Sequence, residues 1–199
     1  QQLLSLINQR ARLAQAVGEV KKIDRSPVFR PDREAQVIDR VKATNPGPVR
    51  AESVAPIWRE IMSACRSLEA RLRVAFLGPV GTFTEQAALN YFGSSIEPVL
   101  CANFDEVFRA TDAGSADFGV VAIENSTEGV VARSLDLLRQ SSLVVIGETS
   151  LMVTHNLLRQ QPSREGIKNG AAHPQALGQC QGWLGQHLPH VERRAVSSN

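Results

Sequence analysis

The feature that most narrows what this chain can fold into is a change of apolar period near Arg73. Before it, Leu3, Leu6, Ile7, Leu13, Val17 and Val20 recur at helical spacing, with no proline until Pro27. Pro31-Asp32-Arg33-Glu34 has the proline and acidic residues of a helix first turn and leads into Val37, Ile38 and Val41. Asn45-Pro46-Gly47-Pro48 breaks the pattern, and a third helix is predicted from about Ser53 to Arg73, with Trp58, Ile61, Cys65, Leu68 and Leu72 on one face. This first stretch contains no strand pattern.

After Arg73 the pattern alternates. Val74–Leu77, Pro98–Cys101, Phe118–Ile123, Leu143–Ile146 and Leu151–Thr154 read as short apolar strands. Helices are predicted from about Thr84, over Phe104–Asp112 and over Val131–Gln140. Such alternation implies a mainly parallel sheet covered by helices. Charge changes at the same place. Residues 1–73 carry 14 Lys and Arg against 8 Asp and Glu, while residues 74–199 carry 8 against 12. Two domains, 1–73 and 74–199, are therefore expected.

Several classes are disfavoured at once. No stretch approaches the roughly 18 uninterrupted apolar residues of a membrane span, and no signal peptide pattern is present. Cys65, Cys101 and Cys180 are odd in number and widely spaced, which argues against a disulfide scaffold and fits a reducing cytoplasm. The cysteines and histidines show no metal-ligand spacing. The positive charges of the first half are scattered among acids and lack aromatic stacking positions, so nucleic acid is discounted as a partner.

In the helical half, Arg10, Val17 and Lys21 share one face at 100° per residue. Snorkelling of long stems over apolar surface is the ordinary explanation for such cations. Yet Cys65 and Glu69, four apart, border the apolar stripe of the third helix. A pocket among these helices would hold Arg10, Lys21, Arg33, Glu34 and Glu69 and would suit a small dianion. Arg10, Ala14, Val17-Gly18, Lys21, then Arg30-Pro31-Asp32-Arg33-Glu34 and Ile61-Met62-Ser63-Ala64-Cys65 resemble the all-helical chorismate mutases. The resemblance implies a homodimer of three-helix chains that rearranges chorismate to prephenate, with no cofactor and no covalent intermediate. It implies that Arg10 binds a substrate carboxylate and Lys21 the ether oxygen, and that Glu34 accepts the ring hydroxyl with Arg33 and Arg30 beside it. Cys65 then lines the carboxylate site and Glu69 meets the ether oxygen. A pericyclic rearrangement suits these residues, since it needs a compact substrate and charge where the breaking C–O bond becomes negative.

Two polar turns mark the second half. Gly78-Pro79-Val80-Gly81-Thr82-Phe83-Thr84 joins a strand to a helix, where backbone N–H groups can cradle an anion, although it is neither a P-loop nor a GxGxxG turn. Glu124-Asn125-Ser126-Thr127-Glu128-Gly129 follows an apolar strand, at the end where open α/β sheets bind ligands. An ordinary turn explains either one alone. Together with Ala75-Phe76-Leu77-Gly78-Pro79 and His173-Pro174-Gln175-Ala176-Leu177, Gln179-Cys180, they resemble the prephenate dehydratases. That resemblance implies a two-lobed α/β fold like a periplasmic binding protein, and conversion of prephenate to phenylpyruvate in the cleft. Glu124, Asn125 and Thr82 are then the catalytic candidates, with Gly81, Ser126, Thr127, Gln179, Ser197 and Ser198 as substrate-binding ones. His155 is expected to pack at the start of the second lobe, and His173 to be structural.

A mutase joined to a dehydratase resembles the bacterial bifunctional P-proteins of phenylalanine biosynthesis. The chain departs from that pattern with Ala172 where serine is usual. It is expected to be a fragment that begins after the first helix's incoming arginine and ends before a Thr-Arg-Phe motif and an ACT domain. A catalytically idle small-anion-binding module with a helical dimerisation segment is the alternative. Retention of Arg10, Lys21, Glu34 and Glu69 together argues against it, since dimerisation alone requires none of them.

Overall fold

The computed structural model describes residues 1–24, 26–126 and 129–196. Its contacts divide the chain into two compact units, Gln1–Ile123 with Val130–Leu151, and Glu124–Gly129 with Met152–Asn199.

The first unit begins with α1 (Gln2–Asp24), α2 (Pro31–Ala43) and α3 (Ala51–Arg66). Pro31 occupies the first turn of α2, where its missing N–H costs nothing, and Asp32 and Glu34 complement the positive end of the helix. Helix α3 packs against both α1 and α2. It ends at Arg66, earlier than the periodicity predicts, because Leu72 is taken into a different core. Three parallel strands follow, β1 (Arg73–Leu77), β2 (Glu97–Cys101) and β3 (Phe118–Val120), in the order β2-β1-β3. Helix α4 (Phe83–Phe92) connects β1 to β2, and α5 (Phe104–Asp112) connects β2 to β3.

Strand alternation sorts the core into two faces. Val74 and Phe76 point to one side, where they join Leu72, Ala88, Phe92 and Phe29. Ala75 points to the other, against Cys101, Val107 and Ala116. Phe29 comes from the loop between α1 and α2, so the helical segment plugs a side chain into the sheet's own core. Its ring centroid lies 5.1 Å from that of Phe92 and 5.4 Å from that of Phe118. Burial of such a ring contributes about 2–3 kcal/mol.

The remaining elements are β4 (Glu124–Asn125), β5 (Gly129–Val130) and α6 (Ala132–Gln140), then β6 (Asn169–Ala172), α7 (Pro174–Gln179), α8 (Gln181–His187) and β7 (Glu192–Ala195). In the second unit β6 and β7 pair in parallel, and Ala176, Leu188 and Val191 are buried beside them. The apolar runs Leu143–Ile146 and Leu151–Thr154 are not strands. Among the described residues no strand pairs with them, and Val144 and Val145 are 80% and 71% exposed. Apolar content alone does not make a strand without a partner edge.

Candidate active sites

Helix α1 and the turn after α3 approach closely at Gly18. A Cβ there would lie 2.9 Å from Cγ of Glu69, so a larger residue would force the Glu69 side chain to shift. One turn further along α1, Lys21 Nζ donates to Glu69 Oε2 at 3.1 Å and to the carbonyl of Val28 at 3.2 Å. Gly18, Lys21, Lys22, Ser26, Val28, Glu69 and Ala70 line a cleft of about 240 Å³. The structure thus brings together two of the predicted residues, Lys21 and Glu69, although Glu69 sits in a turn rather than on the helix.

The other predicted residues of this segment lie outside that cleft. Glu34 turns towards α3, where Arg66 Nη1 donates to its Oε1. Arg33, one residue earlier and so about 100° around the helix, is exposed and donates to Gln36 Oε1 at 3.3 Å. Arg30 is exposed and pairs with Asp32. Cys65 is buried with a free thiol. Arg10 is half-buried on α1, eleven residues from Lys21, or about 16 Å along the axis. One cleft in one chain therefore does not collect the whole predicted set.

Arg66 went unnoticed in the sequence. Its signal was a cation four residues after Met62 and three after Ser63, on the buried face of α3.

At the end of β1, Thr82 caps α4. Its hydroxyl donates to the carbonyl of Leu77 at 2.7 Å and accepts the N–H of Glu85 at 3.3 Å. The N–H of Gly81 donates to the Glu85 carboxylate at 2.5 Å. This is a variant of the capping box, and a carboxylate of the chain itself occupies an N–H that the sequence offered to a ligand anion. Tyr91, near the other end of α4, has its phenol pushed up from the ordinary value, chiefly by burial and then by the negative charge of Glu34.

In the second unit the carboxamides form a chain. Gln179 Nε2 donates to Asn125 Oδ1 at 3.1 Å, and Gln179 Oε1 meets His155 Nε2 at 2.5 Å. With the Gln179 nitrogen donating, its oxygen can only accept, so His155 carries a proton on Nε2. Glu124 and Ser126 flank Asn125 and are exposed. His155, expected only to pack, is thus tied to the predicted pair Asn125 and Gln179. His173 accepts the N–H of Gln175 on its Nδ1 and caps α7, as a structural histidine does. Thr127, Ser197 and Ser198 lie outside the described residues. Among those residues, no group of three or more His, Cys, Asp or Glu is placed to hold a metal ion, and no helix is long and apolar enough to cross a membrane.

The family model for prephenate dehydratase matches residues 74–199, and that for chorismate mutase type II matches residues 1–70. A bifunctional chorismate mutase/prephenate dehydratase of Neisseria gonorrhoeae is 47% identical over 199 residues, covering 100% of this chain and 54% of the relative. One of Pseudomonas aeruginosa is 47% identical over 205 residues, covering 100% and 56%. The chain thus spans about half the length of the curated relatives it matches. A crystal structure of prephenate dehydratase from Arthrobacter aurescens, in complex with L-Phe, is 28% identical, with 64% of this chain and 42% of that one covered and a TM-score of 0.45.

Proposed function

The chain belongs to the prephenate dehydratase family, and we propose that it serves two consecutive reactions of phenylalanine biosynthesis in the cytoplasm. The first is rearrangement of chorismate to prephenate by the helical segment, residues 1–73. The second is conversion of prephenate to phenylpyruvate by the α/β part, residues 74–199. The observation that carries this reading is the pairing of Lys21 with Glu69 in a cleft that Gly18 lines.

In the rearrangement the ether C–O bond breaks as a C–C bond forms, and negative charge grows on the ether oxygen. The Lys21 ammonium stabilises that charge. Glu69 holds the Lys21 ammonium in place before substrate arrives; it meets the ether oxygen itself only as a hydrogen-bond donor, because a carboxylate would repel that oxygen. Arg10 binds a carboxylate of the substrate and Glu34 accepts the ring hydroxyl; Arg30, Arg33 and Cys65 complete the surroundings. The exposed apolar residues of α1 support a homodimer. Leu3, Leu4, Leu6, Leu13, Val17, Val20 and Ile23 are between 50% and 82% exposed, a run that a second copy would cover.

In the second reaction the ring carboxylate leaves as CO₂. Its bonding pair enters the ring and expels the opposite hydroxyl, which takes up a proton and leaves as water. The protein's part is to orient the pyruvyl group and supply that proton. Glu124, Asn125, Ser126 and Gln179 are the candidates in the second unit, and the orientation of the Asn125 and Gln179 carboxamides supports the reading.

The test is an assay of the full-length gene product supplied with chorismate, following loss of chorismate and appearance of prephenate and phenylpyruvate. Formation of both products is expected. Binding of prephenate with no turnover of either substrate would overturn the proposal in favour of an idle binding module.

A further inference from the structure

Arg66 closes α3 and is only 5% exposed. Its guanidinium uses three directions. Nη1 donates to the Glu34 carboxylate on α2, and Nη2 donates to the carbonyl of Phe92 at the end of α4. Its central carbon lies 4.8 Å from the ring centroid of Phe29. A buried cation is tolerated only with compensation, and here a carboxylate, an orphan helix carbonyl and an aromatic face provide it.

The neighbours on α3 hold the same junction. Ser63 Oγ accepts the N–H of Ser95 at 3.1 Å, and Glu60 accepts the N–H of Ser94. Gly93 adopts φ +81° there, and a Cβ on it would lie 2.3 Å from that of Ser63. Glu34 is therefore held from the α/β side. One of its oxygens is fixed by a cation that is itself fixed by α4 and by Phe29, a member of the core that includes Val74 and Phe76.

We propose that Arg66 is the positioning residue for Glu34 in the rearrangement, and that through it the first α/β layer sets the geometry of the mutase site. The inference rests on the mutase reading above. Arg66 does not touch substrate; it holds one carboxylate oxygen so that the other meets the ring hydroxyl in a fixed direction. The helical segment is then one body with the sheet that follows it, and its activity depends on a contact outside the three helices.

The test uses the full-length protein, with chorismate loss and prephenate consumption assayed separately. Arg66→Met keeps the apolar stem and removes the fork. Mutase kcat/KM is expected to fall at least tenfold, mainly through KM, since the hydroxyl contact is present in the bound substrate as well as in the transition state. In a Glu34→Gln background the same substitution is expected to cost less than twofold, because the two residues act as one unit. Arg66→Lys, which keeps charge but cannot reach all three partners, should fall between wild type and Arg66→Met. If Arg66→Met does not fold, as a lost thermal transition would show, the same cycle is run with Arg66→Lys. Wild-type kcat/KM in the single variant, or losses that multiply in the double variant, overturns the inference. Absence of mutase activity in the unmodified protein would instead overturn the underlying reading.

Discussion

In the helical segment the candidate residues are joined as ion pairs, Lys21 with Glu69 and Arg66 with Glu34, whose side chains are between 6% and 21% exposed. In the second unit Asn125 and Gln179 are joined to His155 as two carboxamides and an imidazole. The contrast follows from what each group must have before a ligand arrives. A buried charge needs a partner at all times, so the first site is built of pairs that the packing brings together. A carboxamide needs only a direction, because its two ends differ in donor and acceptor character. The second site is accordingly oriented by a sequence of donors and acceptors. Packing defects should damage the first site most, and loss of a single acceptor or donor the second.

The largest effect tests the packing behind the first site. Gly93→Ala forces a side chain into the carbons of Ser63 at a backbone conformation that glycine alone adopts readily. It should cost about 3–4 kcal/mol of stability, measured by urea unfolding of the full-length protein. A loss under 1 kcal/mol would mean that the α3–α4 junction yields easily. Next comes the charge itself. Arg10→Ala should lower mutase turnover on the order of 10²-fold while circular dichroism holds steady, since alanine is the better helix former. An unchanged rate would return Arg10 to an ordinary snorkelling role.

For the neutral site, Gln179→Met preserves bulk but removes both ends of the relay. Dehydratase kcat/KM should fall about tenfold, with mutase activity as the internal control. Equal loss of both activities would deny the separation between the two sites. The smallest change in rate, but the most diagnostic, is at Glu69. Glu69→Gln keeps a hydrogen-bond donor for the ether oxygen, so mutase turnover should stay within about threefold of wild type, whereas Glu69→Ala, which has none, should lose about tenfold. Equal rates for the two variants would remove Glu69 from the ether site.

Much of this was legible in the amino-acid pattern because it is local. Helix α5 runs over the predicted Phe104–Asp112, and β1, β2 and β3 begin within a residue of their predicted starts. Lys21 and Glu69 are legible as charged residues beside apolar stripes, whereas their pairing depends on Glu69 lying in the turn after α3. Other features depend on partners that spacing does not reveal. Leu72 has the period of α3, yet the sheet core claims it. The valines at 144 and 145 have strand composition and find no edge among the described residues. Parallel β6 and β7, twenty residues apart, left no alternation strong enough to announce them.

The sequence by itself determined the order of the helical and α/β parts, the identity of the turns and the candidates for the chemistry, because periodicity and turn geometry act over a few residues. Only the tertiary structure decided which of those residues meet. Phe29 entering the sheet core, Arg66 tying Glu34 to the end of α4, and His155 orienting Gln179 all join positions at least 24 residues apart. Such contacts arise from filling space and compensating buried charge, which are properties of the packed chain rather than of any segment within it.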